Sequence, residues 1–127
     1  MRIELIDELK DISILCVEDE FGIRQSIVNT LKYYFKDVYE ASNGKEAFEL
    51  YEYHKPKIVI TDIQMRDGDG VELVKKIREN DFETMLIMLT AHSNEEYLID
   101  LINLLIACLV ICLKKRIRWL GSKKCKR

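Results

Sequence analysis

At 127 residues the chain has the size of one domain, with enough length for one buried core. Its 33% charged and 48% hydrophobic residues exclude a disordered protein and describe a soluble globular one. The net charge of -2 conceals two different surfaces. Residues 1–113 hold 12 basic residues against all 22 acids, whereas residues 114–127, KKRIRWLGSKKCKR, hold 8 basic residues and no acid. Acids at Glu4, Asp7, Glu8 and Asp11 precede any long apolar run, so no secretory signal is expected and the expected compartment is the cytoplasm. Cys16, Cys108, Cys112 and Cys125 follow no disulfide-framework spacing, and His54 and His92 do not complete a zinc site with them.

In chain order, apolar strand-like runs alternate with amphipathic stretches of helix length. Ile12–Val17 (ISILCV) predicts a strand, and Phe21–Phe35 predicts a helix with Ile23, Ile27, Leu31 and Tyr34 on one face. A strand at Asp37–Ala41 leads to an Asn43-Gly44 turn and a helix carrying Ala47, Leu50 and Tyr51. Pro56 stands just before the strand Lys57–Thr61, where it would end the preceding helix. Val71–Arg78 predicts a third helix on Leu73, Val74 and Ile77, and Thr84–Thr90 a fourth strand. Ser93 and Glu96 form a capping-box pattern opening a helix from about Asn94 to Asn103, and Cys108–Leu113 (CLVICL) reads as a fifth strand.

Strand alternating with helix argues for a parallel sheet covered on both faces, with right-handed crossovers bringing every strand's carboxyl end to one rim. In KIVITDIQM (Lys57–Met65), Ile58–Ile60 is apolar without alternation, as in a strand buried on both sides, and Asp62 follows at its end. The same rim gathers Glu18-Asp19-Glu20 after the first strand and Thr90 after the fourth. Taken singly, each has an ordinary reading as a cap, a solvated acidic loop or a strand end. Taken together they describe a site, since carboxylates crowded on one rim repel unless a cation holds them. A hard divalent ion such as Mg2+ suits oxygen ligands and can neutralise charge on a phosphoryl group, for which an aspartate can serve as nucleophile. Thr90 would then offer a hydroxyl to a phosphoryl oxygen.

The segments ISILCVEDE, DVYEASNGKEA, PKIVITDIQM, DGDGVELVKKIR and TMLIMLTAHSNEEY together resemble the receiver domain of two-component response regulators, over residues 12–104. The resemblance implies an α/β fold of flavodoxin-like type, with a doubly wound five-stranded parallel sheet. It makes Asp62 the phosphoacceptor from a sensor histidine kinase, and Glu18, Asp19 and Asp62 the acidic ligands of Mg2+. Gln64 would add a backbone carbonyl to the metal, and Thr90 would be the switch hydroxyl. Asp67–Gly70 would be the loop before the third helix. Such a domain is not an enzyme beyond its own phosphorylation and dephosphorylation, and it signals through a downstream protein partner.

Departures from the pattern collect toward the C-terminus. Arg66 stands where the family usually has proline and Gly68 where it often has methionine. Cys112-Leu113 occupies the place of a Lys-Pro pair whose lysine bridges acceptor and phosphoryl group, leaving Lys114 as the available stand-in, two residues on and on the same strand face. Leu105 replaces the glycine usual before the fifth strand. A degenerate last helix is expected, with residues 1–113 as the receiver domain and 114–127 as a basic tail; a reading-frame shift near codon 104 would account for the change in composition. The alternative function is a receiver-like remnant acting as a non-phosphorylated interaction module. Leu101–Leu113 is too short to span a bilayer, which takes about 20 residues. The tail would attract phosphate backbones without sequence specificity. An aspartyl-phosphate hydrolase would need a second Asp where Gln64 stands, and a nucleotide-binding loop would need glycines where VEDEFG stands.

Overall fold

Each expected strand from the first to the fourth forms, within two residues of its expected bounds. The structure, a computed structural model, describes residues 9–63, 65, 70–89 and 99–107. Its elements run β1 (Ile14–Val17), α1 (Phe21–Tyr34), β2 (Val38–Ala41), α2 (Gly44–His54), β3 (Ile58–Asp62), α3 (Gly70–Arg78) and β4 (Met85–Leu89). Residues 99–107 are helical, so this helix continues beyond Asn103, where the sequence pattern had placed its end, and takes in Leu104–Ala107. The fifth strand expected at Cys108–Leu113, the last helix and the basic tail lie outside the described residues.

The strands form one sheet in the order β2-β1-β3-β4, and every neighbouring pair is parallel. This order places β1 and β3 inside, and both are buried along their whole length, as their unalternated apolar sequence requires. The pleat divides the core in two. Ile14, Cys16, Ile58 and Ile60 face one side, packed with Ile27, Val28, Leu31 and Phe35 of the α1 region and with Ile102 and Ile106. Leu15, Val17 and Val59 face the other, packed with Ala47 and Tyr51 of α2 and Leu73 and Ile77 of α3. The result is the doubly wound three-layer α/β arrangement. Among the described residues β4 is an edge strand, and its Leu86, Ile87 and Met88 are half-buried.

Local chemistry explains where the helices start and stop. Asn43, expected as part of a turn, instead caps α2: its side-chain oxygen accepts the Glu46 amide at 2.8 Å, while Glu46 Oε1 reaches back to the Ser42 amide at 2.9 Å. At the other end Lys55 takes the left-handed conformation, φ 49°, before Pro56. In α3, Glu72 lies in the first turn and Lys75, Lys76 and Arg78 in the last, each charge matched to the nearer end of the helix dipole. Tyr34 Oη donates to Asn103 Oδ1 at 2.7 Å, tying α1 to the helical residues 99–107. Among the described residues no helix is long and apolar enough to cross a membrane.

Candidate functional site

The parallel register builds the site. Val17 of β1 is paired with Thr61 of β3, so the residues that follow them, Glu18 and Asp62, stand side by side on adjacent strands. The Glu18 amide donates to the Ala41 carbonyl at 3.1 Å, which carries the β1–β2 ladder one residue past the strand and holds the acidic turn close to the sheet. On the opposite side Asp62 is paired with Leu89, and the Ile63 amide donates to the Leu89 carbonyl at 3.1 Å.

Glu18, Asp19 and Asp62 each bring one carboxylate oxygen into a group whose members all lie within 4.8 Å of one another. Glu18 and Asp62 are only 6% and 8% exposed, unusual for carboxylates, and Asp19 is half-buried. Burial is the strongest influence on Glu18 and pushes its carboxyl up to about 7; the Glu20 amide, donating to Oε2 at 3.1 Å, opposes it, and Asp62 and Asp19 add to it. Mutual repulsion and desolvation make this trio costly by itself. An all-oxygen donor set with that much negative charge fits a hard divalent cation.

Two further residues frame the trio. Arg24, one turn into α1, donates through Nη1 to the Glu18 carbonyl oxygen at 2.7 Å and through Nε to Glu40 Oε1 at 3.0 Å. Gly70, expected in the loop before the third helix, is instead the first residue of α3, and its amide donates to the Ile63 carbonyl at 2.8 Å. Beneath the acids, Cys16 is fully buried, and burial, followed by the charges of Glu18 and Glu40, pushes its thiol far above the ordinary range. It behaves as a small core residue.

The structure thus brings together three of the residues singled out in sequence, Glu18, Asp19 and Asp62. Thr90, Gln64 and Lys114 lie outside the described residues, as do Arg66, Gly68 and Cys112-Leu113. Sequence reasoning gave no role to Arg24 or to Gly70 by itself. A glycine opening a helix soon after the strand that ends in Asp62 was the available signal for Gly70. For Arg24 there was only an arginine six residues after an acid, with its partner Glu40 on another strand.

Residues 14–116 match the family model described as the response regulator receiver domain. The chain is 38% identical over 91 residues to the chemotaxis protein CheY of Bacillus subtilis, a match covering 71% of this chain and 76% of that one. It is 35% identical over 88 residues to a response regulatory protein of Staphylococcus epidermidis, covering 67% of this chain but 34% of that longer protein. Among solved structures it superposes on the N-terminal domain of an uncharacterized protein from Wolinella succinogenes with a TM-score of 0.64 and 26% identity, covering 88% of this chain and 98% of that one. A pair of acids after β1, an aspartate ending β3 and a sheet in this strand order therefore have one shared explanation: the chain belongs to the response regulator receiver domain family.

Proposed function

We propose that this domain is the phosphoacceptor of a two-component phosphorelay, taking a phosphoryl group from a histidine kinase on Asp62 with Mg2+ held by Glu18, Asp19 and Asp62. The observation that carries the reading is the convergence of these three carboxylates within 4.8 Å at the ends of β1 and β3. When bound, the metal supplies charge neutralisation for the phosphoryl oxygens. The rest is the work of the chain. An Asp62 Oδ lone pair forms the O–P bond as the P–N bond to the donor imidazole breaks. The electron pair stays with the leaving nitrogen, which takes a proton from water, and the product is an acyl phosphate. Asp62 ends a strand paired on both sides, with Val17↔Thr61 and Asp62↔Leu89 as its neighbouring register, so the nucleophile is held on a rigid mount.

In this reading Gln64 contributes its backbone carbonyl to the metal and Thr90 turns toward the aspartyl phosphate as the switch. Lys114 is the candidate for the missing lysine. Residues 1–113 act as the receiver unit in the cytoplasm and 114–127 as a separate basic surface. Output passes to a protein partner, with no sequence-specific nucleic acid or membrane contact. A second reading, a non-phosphorylated interaction module, is favoured by one specific observation: Cys112-Leu113 stands where the family has Lys-Pro.

Incubation with radiolabelled acetyl phosphate and Mg2+ tests the proposal. Label that appears on the native chain, is absent from Asp62→Asn and is lost on adding a chelator supports it. Label that survives Asp62→Asn, or is absent from both proteins, overturns it.

A further inference from the structure

The acidic turn after β1 has to hold two carboxylates on one side against their own repulsion, and a backbone turn alone does this poorly. Arg24 reaches this turn from α1. Its Nη1 donates to the Glu18 carbonyl oxygen at 2.7 Å, its Nε donates to Glu40 Oε1 at 3.0 Å, and its guanidinium carbon lies 5.4 Å from the centre of the Phe21 ring. Gln25 Nε2 donates to the same Glu40 oxygen at 3.0 Å, fixing that carboxylate from a second direction. Glu40 itself sits on β2 opposite Cys16, one register step before the Ala41 carbonyl that receives the Glu18 amide. The peptide between Glu18 and Asp19 is therefore held at its carbonyl by α1, and the preceding amide is held by β2.

The geometry points to Arg24 as a positioning residue for the cation site: its guanidinium clamps the Glu18 carbonyl to Glu40 and so aims the Glu18 and Asp19 carboxylates at one point beside Asp62. This inference rests on the proposed cation site and adds the device that preorganises it. Two donors of one planar fork reach two acceptors on different elements, an arrangement a lysine ammonium cannot reproduce. The Arg24 side chain is 13% exposed, so the guanidinium is shielded from water on most of its surface, whereas the Glu40 side chain is 38% exposed.

A charge argument predicts the opposite sign, which makes the inference testable. Arg24 carries a positive charge close to a site for a cation, so a purely Coulombic role would have its removal tighten binding. Positioning predicts weaker binding on removal and no rescue by lysine. The probe is Mn2+, titrated into the purified full chain and followed by the electron paramagnetic resonance signal of the free ion. The proteins compared are native, Arg24→Lys, Arg24→Ala and Glu40→Ala, with circular dichroism confirming that each is folded at the measuring temperature. Removing a partner that orients a ligand group costs about 10–100-fold in metal affinity, so Arg24→Lys and Arg24→Ala are expected to lose about tenfold or more. Glu40→Ala, which leaves Arg24 in place without its anchor, is expected to weaken binding as well.

Affinity that is unchanged in Arg24→Lys and improved in Arg24→Ala overturns the inference, as does a fall in melting temperature with no change in Mn2+ affinity. Glu18→Gln and Asp62→Asn separate this result from failure of the underlying site. If they weaken Mn2+ binding and the Arg24 variants do not, the clamp alone is wrong. If they too leave Mn2+ binding unchanged, the cation site falls and the clamp with it.

Discussion

A methyl group added to Gly70 would lie 2.1 Å from the backbone carbonyl oxygen of Asp62 and 3.0 Å from Thr61 Oγ1. The first turn of α3 is thus packed directly on the peptide that carries the proposed nucleophile, closer than any side chain permits. Thr61 Oγ1 donates to that same Asp62 oxygen at 3.0 Å, so hydroxyl, carbonyl and Gly70 crowd together at one point.

Substitution of Gly70 by alanine therefore forces either α3 or the end of β3 to move, because the obstructing atom is backbone. The expected cost is about 1–3 kcal/mol of folding stability, the range for overpacking a filled site. Urea denaturation measures it, and the same variant is expected to accept phosphoryl groups more slowly. Gly22, whose added methyl would meet nothing within 4 Å, is the control: Gly22→Ala lies in the helix α1 and is expected to be neutral or stabilising. Equal effects of the two substitutions would refute the packing argument.

The raised Glu18 carboxyl gives the protein a pH signature. Its value rises from an ordinary 4.5 to about 7 in the folded chain, so the folded state favours the protonated form. That contribution to stability is fully present below about pH 4.5 and is lost as pH rises through 7. Without divalent ions, Glu18→Gln is therefore expected to be more stable than the native chain at pH 8 and to differ little at pH 5. Adding Mg2+ at pH 8 should reverse the order if the proposed site holds the ion, since a ligand bound to the folded state stabilises it and the variant offers a neutral amide oxygen in place of a carboxylate. Thermal melts at the two pH values, with and without Mg2+, decide the point. A native chain that Mg2+ fails to stabilise at pH 8 would count against the site.

Much of this was legible in the sequence, for reasons that differ by residue. β1 and β3 are central strands, so Ile14–Val17 and Ile58–Ile60 carry unbroken apolar runs that leave little room for another assignment. Their parallel pairing then made the meeting of Glu18, Asp19 and Asp62 deducible from topology. What escaped was contact that depends on distance in space. The bond from Arg24 to Glu40 spans 16 residues, and no local pattern announces it. The roles of Asn43 and Gly70 were read as turn and loop because cap and turn residues share the same chemistry, and only the backbone shows which they serve.

Asp81 holds the bottom of the domain together away from the site. Its carboxylate accepts from Tyr51 Oη on α2 and Thr84 Oγ1, both at 2.5 Å, and from the amides of Glu83 and Thr84 at 2.9 and 3.1 Å. These bonds, the Thr84 hydroxyl first and Tyr51 next, hold the carboxyl well below its ordinary 3.8, while burial, then the hydrogen bond to Asp81 and its charge, push the Tyr51 phenol up to about 12. A depressed carboxyl stabilises the folded state above its ordinary value, and the contribution is lost as pH falls below 3.8. Asp81→Asn is therefore expected to be destabilised at pH 7 by about 1.5–3 kcal/mol, the scale of a bond to a charged group, with the gap narrowing on acidification. Urea midpoints at pH 7 and pH 3 test this; a gap that widens in acid contradicts it.

Docking of the helical residues 99–107 rests on two kinds of contact of very different weight. Ile102 is fully buried and Ile106 nearly so, both in the core cluster shared with α1, β1 and β3. The hydrogen bond from Tyr34 to Asn103 lies at an exposed position. Truncating a buried isoleucine removes its burial and leaves a cavity, about 2–5 kcal/mol, whereas a hydrogen bond in contact with water is worth about 0.5–1.5 kcal/mol. Ile102→Ala is expected to shift the urea midpoint far more than Tyr34→Phe. Because Tyr34 packs against the cluster that contains Ile102, the double variant is expected to depart from the sum of the two. The reverse ranking, or a neutral Ile102→Ala, would mean that this helix is not seated on the sheet as described, and the apolar stretch after Asn103 would then need another explanation.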